Sequence, residues 1–245
     1  RLMARVKKKG SSISITTYGI DSDADLHLDR IYLQPKSAEA RVSYKGRVLG
    51  QLELAITGRH NLLNASAALL AGLELGANAN DLIKGLALFS GARRRFEIKG
   101  ISRGITVIDD YGHHPTEVRA TLDSARQAWP EQRVVMVYQP HRYSRTRDLY
   151  DDFVSVLSRC DVLILLEVYA AGEEAIPGAD SRSLARSIRQ RGQLEPIFVE
   201  NIEDVPQILC SVVEQGDVVV TQGAGNIGAL SKELAAMSFE QGARS

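Results

Sequence analysis

The sequence predicts an α/β protein in two parts: a small antiparallel β meander with helices, then a doubly wound domain built on a mainly parallel sheet. Three observations carry this. Short alternating stretches punctuated by glycine fill the first part, and from about residue 100 apolar runs alternate with helical patterns. Two of those runs, ITVID and VVMVY, stop abruptly in dense polar clusters, DYGHHPTE and QPHRYSRTRD. In an open parallel sheet, ligands bind in the crevice outside the carboxyl ends of the strands. The two clusters, read as the ends of neighbouring strands, therefore predict one composite site.

From Ser11 to Thr57 the stretches SISITTYG, DLHLDRIYLQP and EARVSYKGRVLGQLELAI are broken at Gly19, Pro35, Gly46 and Gly50, with Lys45-Gly46 as a tight turn. HNLLNASAALLAGLELG is an Ala- and Leu-rich helix closed by Gly76, and DLIKGLALF is a second helix opened by Asp81. GARRRFEIKGISRG is rich in glycine and charge, and the style of the sequence changes beyond it, which places a domain boundary near Glu97 to Gly100. The strands that follow, ITVID, VVMVY, DVLILLEVY, PIFVE and DVVVT, each precede a helix. Pro115 with Glu117, Ser181, and Pro206 after Glu203 and Asp204 mark helix entries.

Composition narrows the function. Thirty basic residues balance thirty acidic ones in 245, which argues against a surface devoted to nucleic acid or anionic lipid and favours a small-molecule partner. No stretch reaches transmembrane length and no secretory segment opens the chain. Cys160 and Cys210 have no zinc-like spacing and read as buried thiols in a reducing cytosol.

Several clusters can carry chemistry. Asp109 and Asp110 end a strand, where carboxylates accept from a ribose, bind a metal, or simply cap and turn the chain. His114 precedes Pro115 and suits a cap, which leaves His113 freer to face a ligand. Gln139, His141, Arg142, Tyr143, Arg145 and Arg147 crowd a strand end, where guanidinium forks suit a carboxylate or phosphate better than mutual repulsion would allow without an anion. Asn61 and Asn64 lie one helical step apart and could read a purine edge, or serve as an N-cap and a surface residue. Arg93, Arg94 and Arg95 could touch phosphate or solubilise a hinge. QGAGNIG spells GxGxxG, yet it follows the last strand with no further strand to supply a ribose-binding acid, so a close-packing turn is the better reading. No Walker A loop occurs.

Together GRHNLLNASAA, RRRFE, DDYGHHPTE, QPHRYSRTRDLYDDF, LEVYAAGE and QGAGNIG resemble the Mur ligase family from Gly58 to about Met237, and DDYGHHPTE with QPHRYSRTRD is similar to its L-alanine-adding members. The resemblance implies ATP-dependent ligation of L-alanine to the carboxylate of UDP-N-acetylmuramate through an acyl phosphate, a step of peptidoglycan precursor synthesis in the bacterial cytoplasm. It implies that Asn61 and Asn64 meet the adenine, Asp110 the ribose and Arg95 the ATP phosphates. Tyr111, His113, His141, Arg142 and Arg145 would form the alanine pocket, with His113, His141, Arg142 and Arg145 catalytic and one of the two histidines deprotonating or orienting the ammonium.

On the same resemblance, residues 1–97 are the end of a central ATP-binding domain, residues 98–245 are an amino-acid-binding Rossmann-like domain, and Glu97 to Gly100 is a hinge. ATP and Mg are the implied cofactors. The magnesium ligands, the phosphate loop and the UDP-binding domain are expected in an upstream part of the same enzyme, and the chain, which begins at Arg1, is expected to be an incomplete piece inactive on its own. Three other readings compete: a recycling ligase that adds a tripeptide to the same acceptor, a nicotinamide-binding oxidoreductase through QGAGNIG, and a non-catalytic binding module.

Overall fold

A computed structural model describes residues 14–34 and 37–237. Residues 11–13 and Pro35, which belong to the predicted first stretches, lie outside the described residues. Apart from two short connecting segments, the described residues up to Phe89 form one compact unit and those from Ser90 onward a second. The chain is an α/β protein, as predicted.

The first unit holds a four-stranded sheet in the order β1-β2-β3-β4, with β1 Tyr18–Gly19, β2 Leu26–Leu33, β3 Ala38–Tyr44 and β4 Arg47–Leu54. Its strands alternate buried and outward positions, so Leu26, Leu28, Ala38, Ala40, Val42, Leu52 and Leu54 make one apolar face. The β3–β4 pair is antiparallel and closes through Lys45-Gly46, whose φ values of 47° and 79° define the type I′ turn that matches strand twist. The meander is not antiparallel throughout: the two-residue β1 runs parallel to β2. Helix α1 is Arg59–Glu74, and α2 is Ala79–Ala87. The latter opens on Asn78, whose side chain accepts from the backbone N–H groups of Asn80 and Asp81, rather than on Asp81 as expected.

The second unit is a six-stranded sheet ordered β5-β6-β10-β7-β8-β9. These strands are β5 Glu97–Ser102, β6 Ile105–Asp110, β7 Val134–Tyr138, β8 Val162–Leu166, β9 Ile197–Val199 and β10 Val218–Gln222. All neighbours pair in parallel except the edge strand β5, which is antiparallel to β6. The Glu97 to Gly100 segment, expected as boundary and hinge, is thus the start of a paired strand. The division into units falls earlier in the chain.

Helices α3 Pro115–Ala128, α5 Tyr150–Leu157 and α6 Ser181–Gln190 cover one face, and α7 Val205–Val212 with α8 Ile227–Ala236 covers the other. The alternation of each strand sorts its side chains between the two layers: Val134, Met136, Val218 and Val220 face the first set of helices, and Val135, Val137 and Val219 face the second. Burial on both faces explains why these strands are continuous apolar runs.

The two polar clusters do not end neighbouring strands. The last strand, β10, lies between β6 and β7, with Gln222 in register with Asp110 on one side and Tyr138 on the other. A chain running from β6 through α3 to β7 must skip one position in the sheet, and the return through α7 on the opposite face fills it. Of the two cysteines, Cys160 is buried, with its thiol pushed up to about 12 by burial, whereas Cys210 is only half-buried.

Core packing makes Leu122, 1% exposed on α3, a test of this arrangement. Leu122→Ala should cost about 2–5 kcal/mol, read as a lower denaturant midpoint with an unchanged slope.

Candidate functional site

The carboxyl ends of β6, β10, β7 and β8 bring four loops together, and each is held by a different device. The loop after β6 is pinned by Asp110. Its Oδ2 accepts from the Phe96 N–H at 2.8 Å, and Oδ1 accepts from the Gly112 N–H at 2.7 Å and Gln222 Nε2 at 2.9 Å. With three internal donors and 5% exposure, Asp110 ties the loop to the strands beside it. The turn leaves no room for a side chain at residue 112: a Cβ on Gly112 would lie 2.6 Å from both Asp110 Oδ1 and Gln222 Nε2.

His114 is the N-cap of α3, accepting from the Thr116 N–H at 3.2 Å through Nδ1. Glu117 completes the capping box, its Oε2 accepting from the backbone N–H groups of His113 and His114. Burial opposes ionisation of Glu117, but those two N–H donors and Arg95 outweigh it and hold the carboxyl below its ordinary value.

Asp109, 1% exposed, accepts from Arg94 Nε at 3.0 Å and from Thr221 Oγ1 at 3.3 Å. Burial drives its carboxyl above the usual range, against the pull of Arg94. Arg94 also donates through Nη2 to the Gly223 carbonyl at 2.6 Å and stacks over Tyr111 at 5.2 Å. Its guanidinium fills the space in front of Gly228, where a Cβ would lie 2.4 Å from Cζ. Arg94 is therefore a clip between the loops after β6 and β10. Arg95, expected at the phosphates, is half-exposed with Nη1 3.2 Å from Glu117 Oε1.

The glycines of QGAGNIG are packing glycines. A Cβ at Gly223, whose φ is 151°, would lie 2.6 Å from the Gln139 carbonyl, and one at Gly225 would lie 2.4 Å from Gln139 Oε1. Gln139 in turn donates through Nε2 to Asn226 Oδ1 and accepts the N–H of Ile227 at the start of α8.

The cationic cluster is not wholly a loop: Tyr143–Asp148 forms a short helix, α4, separated from α5 at Leu149. Glu173, from the loop after β8, accepts the Ser144 N–H at 2.9 Å and its hydroxyl at 2.6 Å, and so closes the first turn. Arg142 caps α4 with φ 74°, its N–H donating to the Tyr169 carbonyl at 2.9 Å. Its side chain is half-exposed, 3.9 Å from Glu173.

Side chains of these loops form one row. The Tyr111 and His113 rings meet edge-on at 5.4 Å, His113 and His141 lie 5.7 Å apart, and His141 stacks on Tyr169 at 5.5 Å. Hydrogen bonds assign the proton of each imidazole in its neutral form. His113 Nδ1 lies 3.2 Å from the Tyr111 carbonyl, which only accepts, so the proton sits on Nδ1 and Nε2 is left with a lone pair. His141 Nδ1 lies 3.3 Å from Arg145 Nη1, which only donates, so Nδ1 accepts and Nε2 carries the proton. Burial, then Arg145, His113 and Arg142, lower the His141 pKa and keep the ring neutral.

Of the residues expected in the site, Tyr111, His113, His141, Arg142 and Arg145 belong to the segments that follow β6 and β7, Asp110 ends β6, and Arg95 lies in the segment before β5, where it reaches Glu117. Asn61 and Asn64 belong to the first unit, where Asn61 is buried inside the first turn of α1, past the N-cap position, and Asn64 is exposed. Sequence reasoning assigned no role to Gln222, Glu173 or Tyr169, and for Arg94 it offered a phosphate contact or a solubilised hinge rather than the clip it forms. Among the described residues no group of three His, Cys, Asp or Glu side chains converges in a way that could hold a metal ion.

The strand ends of this mostly parallel sheet bring together imidazoles, aromatic rings and guanidinium groups, the kinds of group that suit a small anionic or zwitterionic ligand. Residues 94–225 match the glutamate ligase domain of Mur ligases and residues 1–72 match the Mur ligase middle domain. The chain belongs to the Mur ligase family.

Among solved structures it is similar to the UDP-N-acetylmuramate-alanine ligase MurC of Thermotoga maritima, with 27% identity and a TM-score of 0.75 over 93% of this chain and 48% of that one. The murein peptide ligase Mpl of Psychrobacter arcticus shares the fold at 20% identity and a TM-score of 0.63, covering 96% of this chain and 49% of that one. The folylpolyglutamate synthase of Mycobacterium tuberculosis, solved with ADP and AMPPCP, shares it at 16% identity and a TM-score of 0.70, covering 96% and 52%. The chain spans about half the length of these relatives. None of its helices, among the described residues, is long and apolar enough to cross a membrane.

Arg94 and Arg95 should behave oppositely in chemical denaturation. Arg94→Ala leaves the Asp109 carboxylate buried without its cation and should cost roughly 3 kcal/mol or more. Arg95→Ala removes an exposed pair and should cost less than about 1 kcal/mol.

Proposed function

We propose that the chain is the amino-acid-binding half of an ATP-dependent ligase that joins L-alanine to the carboxylate of UDP-N-acetylmuramate through an acyl phosphate, in peptidoglycan precursor synthesis. The observation that carries the reading is the row of His113 and His141 beside Arg142 and Arg145, with the two imidazoles holding complementary proton states. The similarity to an alanine-adding ligase at 27% identity supports the choice of amino acid.

ATP would phosphorylate the muramate carboxylate, the alanine nitrogen would attack the acyl carbon, and phosphate would leave the tetrahedral adduct. Arg142 and Arg145 suit the alanine carboxylate, because a guanidinium holds a carboxylate in a planar fork. The ammonium must lose a proton before it can attack. His113 Nε2, with its free lone pair, is the acceptor for that proton, and His141 Nε2–H is a donor for the oxygen that becomes negative in the adduct. Tyr111 closes the pocket beside His113.

Asn61 and Asn64 are proposed for the adenine and Arg95 for the phosphates. Asp110 would act at the ribose by holding the Tyr111–Gly112 backbone. Residues 1–97 are proposed as the end of the ATP-binding domain, and the metal that ATP carries would be held by groups outside the described residues.

Phosphate release from ATP, measured on the full natural chain that carries this sequence, tests the reading. Release that requires UDP-N-acetylmuramate together with L-alanine supports it; release with a tripeptide in place of alanine would make the protein a recycling ligase, and no release with either would leave a binding module.

The histidine roles separate by substitution. His113→Ala should lower kcat about 100-fold or more, with partial recovery at alkaline pH as free alanine loses its own proton. His141→Gln, whose amide still donates, should retain more activity than His141→Ala. Because the folded state holds His141 below its ordinary pKa, the neutral donor persists into mildly acidic solution. Its contribution to stability is present above the ordinary histidine value and lost as pH falls through it towards the folded one.

A further inference from the structure

The loop after β8 carries a ring that the reaction itself does not use. Tyr169 stacks on His141 at 5.5 Å with an interplanar angle of 15°, and a Cβ placed on Gly225 would lie 2.7 Å from its Cγ, so the ring is bounded by the imidazole on one side and the β10 loop on another. Its backbone is fixed as well. The Tyr169 N–H donates to the Pro140 carbonyl at 2.8 Å, its carbonyl accepts from Arg142 at 2.9 Å, and the two segments form a parallel bridge between His141 and Tyr169. The residue is nevertheless 41% exposed, so part of a ring held at its backbone and against His141 remains accessible to a ligand.

We infer that Tyr169 is a specificity-determining residue, a rigid wall that limits the side chain of the amino acid accepted beside His141. The inference rests on the proposed function. An α-amino acid whose carboxylate lies on Arg142 and Arg145 and whose nitrogen lies at His113 has one substituent left to place. The row Tyr111–His113–His141–Tyr169 has a ring at each end. Tyr111 is engaged with Arg94 and Arg95, whose guanidinium groups lie 5.2 and 5.7 Å from its centroid. Tyr169 is the end that meets the remaining substituent.

A methyl group fits against a fixed ring, whereas a branched or longer side chain must displace it. Gly225 enforces the limit from behind, because the close approach of its backbone leaves the ring no room to retreat. A hydrophobic pocket alone separates substrates that differ by one methylene by only about 10–200-fold, so a rigid stop of this kind is what a small-residue preference needs.

The test uses the full natural chain with ATP, UDP-N-acetylmuramate and a panel of glycine, L-alanine, L-serine, L-valine and L-leucine, comparing kcat/KM for each amino acid within each variant. Tyr169→Ala should raise the valine-to-alanine and leucine-to-alanine ratios by about tenfold or more. Tyr169→Phe, which keeps the ring and removes the hydroxyl, should hold both ratios at the wild-type value. Ratios unchanged in Tyr169→Ala while all rates fall in parallel would overturn the assignment and leave Tyr169 a support for Arg142. Ratios shifted equally by Tyr169→Phe would overturn it in favour of a hydroxyl contact. Wild-type protein that releases no phosphate with any amino acid would overturn the ligase reading itself, a failure distinguishable from the others because it precedes any comparison of variants.

Discussion

The site depends on the insertion of β10 between β6 and β7. Without that strand the loops of the two polar clusters would share an edge but have nothing beneath them. With it, Gln222 stands in register with Asp110 and Tyr138, and the β10 loop supplies the backbone against which the others are fixed. Gln222 donates to Asp110 and to Thr121 of α3, and Asp110 passes the constraint to Gly112 and Phe96. Arg94 joins the buried Asp109 to the Gly223 carbonyl. Gln139 reaches from β7 to the start of α8. Most of the polar groups at the strand ends are thereby consumed by structure. The His113 and His141 rings, Arg142 and Tyr169 remain partly exposed.

That division explains the electrostatics. A buried carboxylate such as Asp109 is tolerated because a guanidinium and a hydroxyl share it, and burial still raises its pKa. Glu117 lies in the opposite regime, where two backbone N–H groups and Arg95 keep it ionised. His141 is held neutral by burial and by neighbouring cations, which is the state in which Nδ1 can accept from Arg145 while Nε2 donates outward. Preorganised donors of this kind cost nothing to reorient when charge develops in a reaction.

Much of this was legible in sequence, and the parts that were not have physical reasons. The apolar runs and helix patterns announced the doubly wound domain because strands buried on both faces need such runs. His114 was readable as a cap from its place before Pro115, and QGAGNIG as a close-packing turn from the absence of a following strand. Strand order was not readable, since the crossover that brings β10 back between β6 and β7 leaves no local trace. Arg94 and Arg95 are identical neighbours. Which of them turns inward is decided by a backbone with φ 57° at Arg94 and 53° at Phe96, and by a buried acid at position 109. The helix Tyr143–Asp148 was missed because the group that closes its first turn, Glu173, lies on a different loop after β8. The three internal donors of Asp110 were not legible because two of them, Phe96 and Gln222, come from elsewhere in the chain.

The measurement that bears most directly on the account is the imidazole spectrum of the five histidines of this sequence, recorded by NMR as L-alanine is added. A single composite site predicts that the His113 and His141 resonances shift together along one saturation curve, while those of His27 and the capping His114 stay in place. Shifts confined to His114, or no shift at either His113 or His141 at saturating alanine, would contradict it.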